Sequence, residues 1–487
     1  MSHVTTQGVR LDQFFDGRCL SGNGRVSVAH AESDWRRVQQ GDAFVCIVGD
    51  EDDGHDHAAE AVRRGAAAIV AERPLPVFSV PVFVVEDTRI AYGELCHALA
   101  DHPCQRIRVI GVVGTQGKST VAALLESILN AAGSDVGVLS SWKTYDGMTC
   151  GPGRQGPLSP SDLAARLARM ESAGCTHAVV ELTSVDLAQR TTAGLQLDTV
   201  VGTCVDSARL DVHQRPQNYR NALRSAFDLL APEGLAILNA DDPTSCRWLA
   251  TLDAPSLTYG LDADAQITAE IIDRNSCETV FVLTAGCESA AIRTTIVGDH
   301  HVSNCLAAAT VALAHGLELT TIAAGIEKLQ RLPACMERID CGQDFAVFVD
   351  AAESATGLRA ALRTARRLAQ GRVICVLGDS RSAAADATTV RSVVRKLADV
   401  AIVTEDLAEL CSEWRTDCDE EIGVHIVADR SDAIAWALSG AELGDVVVIA
   451  GSRGGDEPGF GSVEIREAEA AREMLRMRQA PQLRLVG

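Results

Sequence analysis

The sequence predicts an α/β protein of about three domains. Two observations carry that reading. Short runs of Val, Ile and Ala alternate with helix-like stretches in three successive parts of the chain, the pattern of parallel sheets covered on both faces. At 487 residues the chain also has the length of about three domains.

In the first part, residues 1–106, the β-like runs are DAFVCIVG, AAAIVAE and VPVFVVED, separated by helical stretches such as HDHAAEAVRRG. His55 and His57 lie in that stretch at i, i+2 with no further ligand type beside them, so they read as a helix-start loop. Pro103, in DHPCQ, marks a linker. Residues 107–334 open with the strand VIGVV and its loop and helix, and continue through HAVVEL, LDTVVGTCV and LAILN. Asp241 and Asp242, in NADDP, are turn-forming residues. LPACMERID is the second junction. Residues 335–487 then carry DFAVFVD, GRVICVLGD, DVAIVT and GDVVVIAG, with helical segments such as SVVRKLAD and SDAIAWALSG between them, which predicts a doubly wound, Rossmann-like domain.

Composition narrows the function. Apolar residues make up 47% of the chain and aromatics only 4%, so the cores are aliphatic. A net charge of −22 argues against nucleic acid and anionic membrane as partners. No apolar run reaches the roughly 18 residues of a membrane span, and MSHVTTQGVR lacks a signal-peptide core. Sixteen cysteines are scattered without any C-x-x-C, which suits reduced thiols rather than a disulfide framework or a zinc site. The expected location is the cytoplasm and the expected state a monomer.

The most informative segment is VVGTQGKST, residues 112–120, between VIGVV and VAALLESILNAAG. Glycines let backbone N–H groups close around an anion, and the following helix N-terminus adds partial positive charge. Gly114, Thr115, Gln116, Gly117, Lys118, Ser119 and Thr120 therefore form a candidate phosphate loop for ATP. Lys118 would reach the terminal phosphates and the Ser119 hydroxyl would sit on Mg²⁺. The first glycine of the strict eight-position pattern is replaced by Val112.

Several residue sets in order resemble the Mur ligases, the ATP-dependent amide-forming enzymes of peptidoglycan precursor synthesis, and within them the UDP-N-acetylmuramoyl-tripeptide synthetases. They are GDAFVCIVGDEDDGHDHAAEAVRRGAAAIVAE, GTQGKST, VVELTS, LDVHQRPQNY, LNADDP, GDHHVSNCLAAA, PACMERID, FVDAAESATGLRAAL and VVVIAGSRGGDE. GTQGKST alone would also fit folate-polyglutamate synthetases, but the N-terminal segment and the succession from LNADDP to FVDAAES favour the peptidoglycan branch.

The resemblance implies a uridine-nucleotide domain at the N-terminus, ATP in the centre and amino-acid binding at the C-terminus. It further implies attack of a UDP-muramyl-peptide carboxylate on ATP, an acyl phosphate, and its capture by a free amino acid. It assigns Lys118 and Glu181 to catalysis, Ser119 and Glu181 to Mg²⁺, Asn304 to the adenine and Asp350 to the ribose or phosphates. Asp34, Trp35, Ser159, Ser184 and Arg190 fall to the substrate.

The resemblance also has departures. Leu223 stands where the family pattern has a lysine that is carbamylated to help bind a second Mg²⁺. E-x-S-S-H reads Glu181-Leu182-Thr183-Ser184-Val185, and D-H-L-D-x-H reads Ala208-Arg209-Leu210-Asp211-Val212-His213. D-Y-A-H reads Asp350-Ala351-Ala352-Glu353, and P-G-R-M-E reads Pro333-Ala334-Cys335-Met336-Glu337. The amino-acid-gripping D-N-P-R is Asp406-Leu407-Ala408-Glu409, and the uridine-site D-S-R is Asp34-Trp35-Arg36. Arg209 and Arg224 could each replace a cation there, or be surface arginines. Three readings stay open: a muramyl-peptide ligase, a silent nucleotide-binding scaffold, and a ligase for a different carboxylate.

Overall fold

Three α/β domains, each built on its own sheet, organise the chain in the computed structural model, which describes residues 8–16, 18–21, 24–49, 51–77, 79–154, 156–206, 210–352, 354–378, 387–404, 407, 423–451 and 462–479. The first sheet holds β1 (Cys19–Ser21), β2 (Ala31–Glu32), β3 (Ala43–Val45), β4 (Ala68–Ala71) and β5 (Val82–Val84), in the order β1-β5-β4-β3-β2. Only β1 runs antiparallel. His55 and His57 lie in a 3-10 turn, Gly54–His57, where His55 Nδ1 meets Asp53 Oδ1 at 2.6 Å and its Nε2 accepts from Glu72 N at 2.9 Å. His55 is thus a buried structural histidine.

The central sheet holds β6 (Arg108–Val113), β7 (Val136–Leu139), β8 (Lys143–Tyr145), β9 (Cys150–Pro152), β10 (His177–Glu181), β11 (Leu197–Gly202), β12 (Leu230–Asn239), β13 (Ser256–Gly260), β14 (Ile267–Arg274), β15 (Thr279–Ala285) and β16 (Glu288–Thr294). Their order is β9-β8-β7-β10-β6-β11-β12-β13-β14-β15-β16. The run β7-β10-β6-β11-β12-β13-β14 is parallel throughout. Antiparallel strands close both edges: the hairpin β8-β9 and the meander β14-β15-β16. Sequence reading placed only β6, β10, β11 and β12 of the parallel interior, because these strands are continuous apolar runs. The edge strands are half-exposed and mixed in character.

Burial on both faces explains the run-like sequence of β6. Val109 and Val113 join one apolar cluster, Ile110 and Val112 the other. The second cluster includes the following helix, α1 (Lys118–Ala131), through Val121, Leu124, Leu125, Ile128 and Leu129. That i, i+3, i+4, i+7, i+8 spacing gives α1 one continuous apolar stripe. It stops at Gly133, whose φ of +80° is the left-handed conformation common past helix ends. Asp242 caps the short helix Pro243–Leu249 and Asp241 accepts from Leu261, Asp262 and Ala263 N, so both are the turn residues expected of them.

The third sheet runs β17-β18-β22-β19-β20-β21, with β17 (Glu337–Arg338), β18 (Ala346–Asp350), β19 (Val373–Leu377), β20 (Val400–Thr404), β21 (Gly423–Val427) and β22 (Val446–Ala450). Only β17 is antiparallel. Helix α2 (Ala355–Leu368) follows β18, and Ser354 caps it by accepting from Gly357 N at 3.3 Å. Asp406, Ala408, Glu409, Arg209 and Glu353 lie outside the described residues.

Candidate active site

Strand register creates the site. In the parallel pairing of β6 with β10, Glu181 stands opposite Val112, so the carboxylate emerges beside the loop that leaves β6. The carboxyl ends of parallel strands are where such sheets hold ligands. The loop turns at Gly114 (φ +144°) and Gly117 (φ +84°). A Cβ on Gly114 would lie 2.0 Å from Thr203 Oγ1, and one on Gly117 would lie 2.3 Å from Asn304 Oδ1. Both positions thus require glycine for conformation and for space.

Thr115 N donates to the Cys204 carbonyl at 2.7 Å, and Thr203 Oγ1 donates to the carbonyls of Val113 and Gln116. Tyr219 Oη donates to Thr115 Oγ1 at 2.9 Å. The third domain also touches the loop: Gln116 Nε2 donates to Ser354 Oγ at 2.6 Å, and Thr120 Oγ1 lies 3.5 Å from Cys335 Sγ. The N-cap of α1 is Gly117, which caps with no side chain, so first-turn N–H groups face the loop's concavity.

Inside this cradle Lys118 Nζ donates to Thr115 O at 3.2 Å and stands 3.8 Å from Glu181 Oε1. Ser119 Oγ donates to Glu181 Oε2 at 3.0 Å. Ser141 approaches the same oxygen twice, through N and Oγ, each at 3.0 Å. Glu181 is only 3% exposed, so its charge is held by these hydroxyls, one amide and Lys118 rather than by water. A hydroxyl and a carboxylate oxygen in contact are hard donors of the kind Mg²⁺ takes together with nucleotide phosphates. The residues present therefore fit ATP and a magnesium ion.

Asn304 lies against Gly117, at the loop itself. Asp350 accepts from Met336 N at 2.8 Å and Ala352 N at 3.0 Å, which shapes the turn after β18. Ser184 Oγ contacts His213 Nε2 at 2.9 Å, in a buried pair packed edge-on against Tyr219. Arg224 pairs with Asp228 at 3.7 Å, as a helix-surface arginine would.

Ser159 and Arg190 come together in a second place. They line a cleft of about 250 Å³ with Ser33, Arg89, Tyr92 and Gln189, where residues of the first and second domains meet. Arg190 reaches Asp87 across it at 2.6 Å. Asp34 follows Ser33 and accepts from Arg36 N at 3.0 Å. Trp35 stacks on His57 with ring centroids 5.3 Å apart, and the Arg36 guanidinium lies 5.0 Å from its ring.

Three contributors escaped sequence reading: Ser141, Tyr219 and the pair Arg154–Asp186. Arg154 bridges the fully buried Asp186 carboxylate (3.0 Å) and the Glu181 carbonyl (3.2 Å), which ties the strand end to the helix Ser184–Ala188. Ser141 had one usable signal, a small hydroxyl just past a parallel strand. Arg154 and Asp186 had none, being ordinary charged residues far apart in sequence.

A phosphate loop at the carboxyl edge of a parallel sheet, between an N-terminal α/β domain and a Rossmann-like one touching the loop, defines a three-domain nucleotide-binding α/β enzyme. Residues 112–312 match the Mur ligase middle domain, and residues 336–453 match the Mur ligase glutamate ligase domain. The UDP-N-acetylmuramoyl-L-alanyl-D-glutamate–2,6-diaminopimelate ligase of Geobacillus kaustophilus is 36% identical over 444 residues, covering 88% of this chain and 90% of its own. The UDP-N-acetylmuramyl-tripeptide synthetase of a Roseiflexus species is 33% identical over 475 residues, covering 91% of this chain and 93% of its own. Among solved structures, a UDP-N-acetylmuramoyl-L-alanyl-D-glutamate–2,6-diaminopimelate ligase aligns with a TM-score of 0.72 at 21% identity, over 96% of this chain and 100% of its own. The MurF ligase of Thermotoga maritima in complex with ADP aligns at 0.64 and 18% identity, over 92% and 98%. The chain belongs to the Mur ligase family and is an ATP-dependent ligase.

Proposed function

We propose that this chain adds an amino acid to UDP-MurNAc-L-Ala-D-Glu in peptidoglycan precursor synthesis. The observation that carries the reading is the convergence of Lys118, Ser119 and Glu181 at the phosphate loop, with Glu181 within 3.8 Å of both partners. The substrate follows from the relatives above, which bear the names of ligases for that dipeptide.

The D-Glu carboxylate attacks the γ-phosphorus of ATP, the bond to the β-phosphate oxygen breaks, and ADP leaves. The amine of the incoming amino acid then attacks the acyl carbon of the acyl phosphate. Inorganic phosphate departs, the amine proton is released, and an amide remains. Gly114–Thr120 cradle the phosphates with backbone N–H groups, and Lys118 follows the charge that moves onto the leaving ADP. Ser119 and Glu181 would hold a magnesium ion, which would supply further neutralisation of the phosphates. Asn304 and Asp350 complete the nucleotide site.

The cleft lined by Ser33, Ser159 and Arg190, with Asp34 and Trp35 following Ser33 in the chain, takes the uridine diphosphate end, and two arginines there suit its charge. Ser184 serves the peptide end. In this reading residues 1–106, 107–334 and 335–487 bind UDP-substrate, ATP and amino acid, and the enzyme works as a cytoplasmic monomer without membrane or nucleic acid. A different carboxylate substrate is favoured by one observation, the Trp35 indole at the position of the family's serine.

Phosphate release decides between them. Purified protein with Mg-ATP and UDP-MurNAc-L-Ala-D-Glu is assayed across an amino-acid panel, with Lys118→Ala as control. Release stimulated by dipeptide and one amino acid, and abolished by the substitution, is expected. ATP binding without release under any combination would refute the assigned substrate.

A further inference from the structure

The family pattern brings a second magnesium ion on a carbamylated lysine, and here the corresponding position tests that expectation directly. Leu223 is fully buried. It belongs to the same apolar cluster as Leu182, Leu187, Tyr219 and Phe227. Its helix, Pro216–Arg224, packs on the helix Ser184–Ala188 and is fastened to the phosphate loop by the hydroxyl of Tyr219 on Thr115. A lysine at this position would have to carry its charge into a hydrocarbon cluster.

The other donors around the loop already have partners. Asp186 accepts from Arg154, from Leu158 N and from Thr183. Asp206 accepts from Thr356 Oγ1, and its N–H donates to Thr115 Oγ1. His213 Nε2 pairs with Ser184 Oγ. Both Asp350 oxygens accept backbone N–H groups. Among the described residues, no group of three or more His, Cys, Asp or Glu side chains could hold a metal ion.

Among the described residues, Glu181 is the carboxylate that meets the loop's own Lys118 and Ser119, with Ser141 beside it. Magnesium needs little more than that, because it keeps several waters and draws its other ligands from phosphate oxygens. We infer that this chain carries one divalent cation per bound nucleotide, at Ser119 and Glu181. Leu223, buried in hydrocarbon, offers no ligand for a second, so the chemistry is independent of carbon dioxide. This inference rests on the ligase reading for its setting but not for its test.

The test counts Mn²⁺ bound to the full-length protein saturated with the non-hydrolysable analogue AMP-PNP, from the electron paramagnetic resonance signal of free Mn²⁺. One Mn²⁺ per bound nucleotide is expected, with affinity lowered at least about tenfold in Glu181→Gln, the scale seen when even an outer partner of a metal ligand is lost. Two Mn²⁺ per nucleotide, or a nucleotide-dependent Mn²⁺ that Glu181→Gln leaves unchanged, would overturn the inference. No readout here requires turnover. One bound Mn²⁺ in a protein that releases no phosphate would refute the proposed function and leave the cation count standing.

Discussion

Gly117→Ala isolates what the phosphate loop demands of its backbone. Gly117 has φ +84° and ψ −10°, a left-handed conformation that costs an L-residue about 1–2 kcal/mol. The new methyl group would also stand 2.3 Å from Asn304 Oδ1 and 3.1 Å from its Cγ. Ordinary contact begins near 3.4 Å. The amide must therefore retreat by about an ångström, and because it is the end of a rotatable side chain this costs little in stability. The expected result is a loss of about 1–2 kcal/mol of stability with a much larger loss of ATP affinity, since Asn304 leaves the loop and the N–H groups are re-aimed. Calorimetric titration of ATP and thermal unfolding read the two effects separately. In the Asn304→Ala background the collision is gone, so Gly117→Ala should there cost only the backbone term. A Gly117→Ala protein that binds ATP as tightly as the parent, at an unchanged melting temperature, would refute the reasoning.

Two further perturbations follow from buried charge. Asp186→Ala leaves the Arg154 guanidinium without its buried partner and removes the capping box of Thr183 and Asp186, so chemical unfolding should show a loss of about 3–5 kcal/mol. Acid should destabilise the protein well above the carboxylate range. Burial lowers His97 and His315 to about 4 and His301 to about 3. These imidazoles charge only after the unfolded chain has bound its protons near 6.5. Their contribution is complete above pH 6.5 and is lost as pH falls toward the folded values, about 3 kcal/mol each for His97 and His315 at the limit by the free energy of one pKa unit, and more for His301. Unfolding free energies between pH 7 and 4.5 should fall with decreasing pH, and His301→Gln should flatten the slope.

Both apolar clusters of the central sheet could be read from single strands, because a parallel strand covered on two faces must be apolar at every position. VIGVV and HAVVEL show this directly. Helix α1 was legible from its i, i+3, i+4 stripe and the loop from its glycines, both local requirements of the backbone. The meander β14-β15-β16 was not, since one solvated face mixes polar residues into each strand. The strand pairing β6-β10 brings Glu181 to Ser119, 62 positions away. Only the family resemblance named that partner; the local chemistry of neither segment specifies it.

The sequence alone determined the phosphate loop, its lysine and the family, since these depend on residue type at fixed short spacing. The family resemblance named Glu181 as the carboxylate at that loop, and tertiary structure decided how it gets there and that Ser141 shares it. It also decided that Arg154 and Asp186 anchor the strand end and that Leu223 fills apolar space rather than a metal site. Those outcomes depend on strand register and on burial, which arise only when distant segments exclude water together.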